Sequence, residues 1–104
     1  MSEIDELVDL SGKLKEKFKD KIERIIIFGS YVRGDYDKES DIDILVIVND
    51  EKIEKDVRKV AYSFIPKVGR LISVKVIEKK LFDAMRKEKF SFIRSIEKEG
   101  ISIG

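Results

Sequence analysis

Two apolar runs rich in β-branched residues, Ile25–Phe28 and Ile42–Val48, constrain this chain most. Each reads as a strand buried on both faces, because neither alternates with polar residues. The link between them holds Gly29, Gly34, Asp35, Asp37 and Ser40. That composition reads as a short turn or helix followed by a loop. It carries too little regular helix for a parallel crossover. A mixed sheet is therefore expected.

The rest of the chain supplies helices to cover such a sheet. Residues 3–19 place Ile4, Leu7, Val8, Leu10, Leu14 and Phe18 at helical spacing. Asp50 is suited to cap a helix running to about Ile65, with Ile53, Val57, Val60, Ala61 and Phe64 inward and Pro66 and Gly69 ending it. Leu71–Ile77 reads as a third strand, with Ser73 and Lys75 on one face and Ile72, Val74 and Val76 on the other. Leu81–Arg86 and Phe90–Lys98 read as short helices. Gly100 stops the second, and Ile101–Ile103 can add an edge strand. The expected class is α/β (α+β), a small mixed β-sheet flanked by helices, in one domain over residues 1–104.

The corner after the first strand and the entry to the second carry the chemistry. Gly29 lets the backbone turn with no Cβ in the way, so a phosphate can approach closely. Ser30 adds a hydroxyl donor. A helical turn over residues 30–33 would aim free N–H groups at an anion. Asp41 and Asp43 are two apart on a strand, so both carboxylates lie on one face, while Ile42 and Ile44 point into the core. Such a pair suits Mg²⁺, whose remaining ligands are phosphate oxygens and water. Arg33 lies between the two halves and is a candidate phosphate contact. Ser40 orders the turn before Asp41. Tyr31 and Tyr36 flank the loop, as base-stacking or packing residues.

Gly29-Ser30, ten residues, then Asp41-x-Asp43 resembles the signature of the DNA polymerase beta-like nucleotidyltransferase superfamily. The fuller GSYVRGDYDKESDIDILV resembles its minimal nucleotidyltransferase (MNT) branch. The resemblance implies the nucleotidyltransferase fold, with an NTP held by Gly29 and Ser30 and Mg²⁺ on Asp41 and Asp43, the catalytic pair. It implies transfer of a nucleoside monophosphate, AMP from ATP, with release of pyrophosphate. Many members of the branch are antitoxins encoded beside a HEPN-domain protein, and some modify a tyrosine of that partner. The alternative within the same fold is a non-catalytic antitoxin that binds nucleotide and partner.

One departure from the superfamily pattern stands out. A third carboxylate belongs on a later strand, yet Leu71–Ile77 has neither Asp nor Glu. Glu78, just past the expected strand end, is the candidate third ligand; a solvated, helix-capping charge is its bland alternative. Lys75 offers a positive charge to phosphate or to solvent. Composition narrows the chemistry further. With no Cys and no His, thiolate and imidazole chemistry are excluded. A net charge of +1 gives no global attraction for nucleic acid. Charged residues make up 41%, rich in Lys and Glu, as in chains from hot-growing organisms. The N-terminus is acidic and unlike a signal peptide. No apolar run is long enough to span a bilayer. A cytoplasmic protein is expected, with no membrane contact, a HEPN-type partner and a homodimer as a further option.

Overall fold

The apolar run Ile42–Val48 forms β2, the strand with the most complete cover. In the computed structural model, which describes residues 3–34 and 41–103, every side chain of β2 except Asp43 is buried. β1 (Ile22–Phe28) pairs with it antiparallel, bringing Phe28 opposite Asp43. β3 (Ile72–Glu78) pairs with its other edge in parallel, Asp43 opposite Ser73 and Val48 opposite Glu78. A short β4 (Ile101–Ser102) adds antiparallel to the outer edge of β1. The order is β3-β2-β1-β4. The sheet is mixed, as the glycine-rich link after Phe28 predicts.

The helices are α1 (Glu3–Phe18), α2 (Ser30–Arg33), α3 (Glu54–Tyr62), α4 (Ile65–Val68), α5 (Lys79–Lys87) and α6 (Ser91–Glu99). The two-residue period of the strands decides which helix covers which face. Ile25, Ile27, Ile42, Ile44, Val46 and Val48 pack against Leu7, Leu10 and Leu14 of α1, Val57 and Ala61 of α3 and Val68 of α4. Ile26, Leu45 and Ile47 face the other way, onto Phe82 of α5 and Ile93 and Ile96 of α6. Each such side chain contributes about 1.5–3 kcal/mol on full burial. The central sheet is thus held rigidly from both sides. Beyond β4, Ile103 donates its N–H to Ile25 O at 2.9 Å, and Ser11 Oγ donates to Ile103 O at 2.7 Å. The last residues are thereby tied to α1.

Three boundaries differ from the sequence reading. β1 starts at Ile22, before the apolar run, because the charged Glu23 and Arg24 disguise its first turn. Their side chains are exposed and bonded to neighbours, Glu23 Oε2 accepting from Asn49 Nδ2 at 3.0 Å and Arg24 donating to Ser102 Oγ at 3.1 Å. The expected helix from Asp50 to Ile65 is broken. Asp50 does accept from Lys52 N at 3.0 Å, but the first turn is 3₁₀, α3 ends at Tyr62 and α4 follows. Pro66 occupies the opening turn of α4, where a missing N–H costs nothing, so it starts a helix instead of ending one. Gly69 then stops α4 at φ +80. Finally, β3 runs one residue further than expected and ends on Glu78 itself.

Candidate active site

The C-terminal end of β1 and the N-terminal ends of β2 and β3 meet at one edge of the sheet. Phe28 pairs with Asp43, and Asp43 pairs with Ser73. Ile42 N donates to Leu71 O at 2.9 Å, which pins the start of β2 against the approach to β3. Gly29 follows β1 directly and has φ +84, a conformation that penalises any residue with a Cβ. A Cβ built there would collide with Asp43 Oδ2 and lie 3.2 Å from its Cγ. The Asp43 carboxylate therefore lies over the glycine. Gly29 and Asp43, one residue from each half of the motif, are thus neighbours in space.

Asp43 is the single polar side chain of β2, and it is half-buried at the site edge. Asp41 precedes β2 and is exposed. α2 opens at Ser30, so its first backbone N–H groups have no intrahelical carbonyl to meet. The side chains of Ser30 and Arg33, and the whole of Tyr36 and Ser40, lie outside the described residues. Tyr31 packs on the core beneath α1, which favours the packing role over base stacking.

Ser73 stands directly beside Asp43, half-buried, at the position where a third carboxylate would complete the cluster. Lys75, opposite Leu45, is exposed on the same face. Glu78 is not brought to the site. It pairs with Val48 at the far end of the sheet and points to the opposite face from Ser73. At about 3.3 Å per residue, the two are separated by roughly 17 Å of strand. A loop residue could have swung back; a residue fixed in the β2–β3 ladder cannot. Among the described residues no three metal-ligating side chains gather. The Asp41 and Asp43 oxygens are hard donors of the type Mg²⁺ takes when phosphate and water supply the remaining ligands.

Sequence reasoning missed a cavity of ≈ 360 Å³ beside Gly29, between the end of β1 and α6. Its signal was present in the four-residue spacing of Ser91, Ser95 and Glu99, but only the sheet shows which end of β1 those residues meet. Among the described residues no helix is long and apolar enough to cross a membrane.

Comparison with known proteins identifies the family and the fold. Residues 7–103 match the family model described as Nucleotidyltransferase domain. A protein of Methanocaldococcus jannaschii named "Putative protein adenylyltransferase" is 34% identical over 105 residues, which span 94% of this chain and 99% of the relative. A second protein of the same name and organism is 39% identical over 100 residues, 96% of each chain. Among solved structures, a toxin–antitoxin crystallised with AMP-PNP superposes with TM-score 0.60 at 21% identity, over 93% of this chain and 72% of the other. A mutant of the MntA–HpeT toxin–antitoxin gives TM-score 0.60 at 17% identity, with the same coverage. At these identities the structural likeness establishes the fold.

Proposed function

This chain belongs to the nucleotidyltransferase domain family, and on that premise we propose that it transfers AMP from ATP to a protein hydroxyl. The Asp43 carboxylate lying over Gly29 is the observation that carries the reading. It sets one motif carboxylate against the corner where the triphosphate is proposed to bind, the two groups a triphosphate–metal substrate needs. In this reading Gly29 and the first N–H groups of α2 hold the triphosphate, with Ser30, Arg33 and Ser40 as further contacts. Asp41 and Asp43 hold Mg²⁺, which when bound would neutralise charge on the phosphate oxygens.

The reaction is an in-line displacement. The acceptor oxygen attacks the α-phosphorus, the bond from that phosphorus to the α,β-bridging oxygen breaks, and pyrophosphate leaves. The hydroxyl proton passes to solvent or to a base on the acceptor. Most of the catalysis asked of this chain is positioning, because β1 and β2 fix the two groups from a core packed on both sides. The names of the archaeal relatives support AMP and a protein acceptor. The toxin–antitoxin neighbours are consistent with an antitoxin role, and the resemblance to the minimal branch suggests a HEPN-type toxin as the acceptor. The whole chain, residues 1–104, acts as one such domain in the cytoplasm, alone or as a homodimer.

A second reading is favoured by Ser73. With serine beside Asp43 the third carboxylate of the superfamily is lacking, and the same fold would serve as a nucleotide- and partner-binding antitoxin without turnover. One assay separates the two. ATP labelled at the α-phosphate, Mg²⁺ and the helical protein encoded beside this chain are incubated with it. Transfer of α-label, with none from γ-labelled ATP, supports the enzyme. A stable complex without transfer supports the contact module.

A further inference from the structure

We propose that the cavity between β1 and α6 is the base subsite, holding the nucleobase of the nucleotide whose triphosphate Gly29 contacts. The inference rests on the nucleotide-site reading above and extends it to a place the phosphate–metal motif does not reach. Gly29 lines both regions. The cavity thus begins at the residue that ends the β1 corner, next to the place proposed for the phosphates. The cavity lies on the same face as Asp43. Phe28 and Phe92 belong with Leu45 and Ile47 in the core beneath α5 and α6, and Asp43 shares the parity of those two β2 residues.

The lining has the chemistry of a base site. Phe28 and Phe92 meet edge to face, with ring centroids 5.6 Å apart and planes at 83°. Both are only partly buried, so aromatic surface is left open to a planar ligand. Ile96 is buried and gives the cavity an apolar floor. Ser91, Ser95 and Glu99 recur every four residues along α6, which puts hydroxyl and carboxylate oxygens in a row along one side. An aromatic face with a polar rail suits a flat heterocycle carrying donors at its edge. The ≈ 360 Å³ is within the range of small-molecule sites.

The test compares ligands with and without a base. Calorimetry measures Mg²⁺–ATP and Mg²⁺–tripolyphosphate on wild type, on Ser95→Phe and on Phe92→Leu. Ser95 is exposed, so filling the cavity from that position leaves folding intact, which circular dichroism checks. Wild type is expected to bind ATP at least about ten-fold more tightly than tripolyphosphate, the scale of one base–aromatic stack. Both variants should lose that preference while keeping tripolyphosphate affinity. Equal affinity of wild type for the two ligands overturns the proposal. So does an ATP preference that survives Ser95→Phe, which would move the base elsewhere, and so does loss of partner modification with unchanged ATP affinity, which would make the cavity an acceptor site. Binding of neither ligand to wild type refutes the nucleotide-site reading itself, a result distinct from the others.

Discussion

Replacing Gly29 by alanine tests the arrangement at its tightest point. Two costs are expected, and the structure separates them. The first is backbone: at φ +84 a residue with a Cβ pays roughly 1–2 kcal/mol. Gly69 has nearly the same conformation, φ +80, with no atom within 4 Å of its would-be Cβ. Gly69→Ala therefore reports the backbone cost alone. The second cost is steric. In Gly29→Ala the new methyl meets Asp43 Oδ2, and the carboxylate must turn away, adding about 1–3 kcal/mol as overpacking does. Asp43→Ala removes the obstructing oxygen and leaves only its Cβ, 3.4 Å away, an ordinary contact. A double-mutant cycle by chemical denaturation should therefore show coupling of about 1–3 kcal/mol between positions 29 and 43. In thermal melts Gly29→Ala should fall below Gly69→Ala by roughly 4–8 °C for each further kcal/mol. Additive effects at 29 and 43 would refute the reasoning, because the carboxylate could not then lie over the glycine.

Further substitutions probe the rest of the account. Ser73→Asp puts a carboxylate directly beside Asp43, so it should lower the melting temperature without Mg²⁺ through like-charge repulsion. Millimolar Mg²⁺ should restore it, and a melting temperature insensitive to Mg²⁺ would argue against a metal site at this edge. Glu78→Gln, at the far end of the β2–β3 ladder, should leave ATP affinity and label transfer within two-fold of wild type (roughly the 0.5 kcal/mol scatter of a neutral surface change). A large loss in calorimetry would place Glu78 in the site after all. Arg58→Met removes hydrogen bonds from α3 to the Val74 carbonyl of β3 and to Glu54, and should cost about 1–3 kcal/mol in urea denaturation with ATP affinity retained. Asp41→Asn and Asp43→Asn should each reduce AMP transfer by about 10²–10⁴-fold in the α-label assay.

The sequence was most informative where local chemistry and tertiary environment agree. Ile42–Val48 is apolar along nearly its whole length because both faces of β2 are covered, so the buried strand and its single polar intruder were legible together. Gly29 and Asp43 stood out by type and spacing, although their contact depends on β1 and β2 pairing Phe28 with Asp43. The place of Glu78 was not legible for a related reason. Its distance along the chain from Ser73 is short, but a parallel strand pair converts that separation into length and flips the face. Pro66 was read as a stop signal because proline breaks helix interiors, whereas an opening turn tolerates it. The cavity beside Gly29 was hidden because Phe92 of α6 meets Phe28 of β1 across about sixty residues of sequence, a contact that no local periodicity signals.

Gly29, Asp41 and Asp43 are proposed to form one nucleotide–metal site. Titrating ATP into wild type and into Asp43→Asn, each with and without Mg²⁺, tests this directly. The prediction is Mg²⁺-dependent binding by wild type and loss of that dependence in the variant, with an unchanged fold by circular dichroism. ATP affinity that ignores both Mg²⁺ and the change at Asp43 would contradict it.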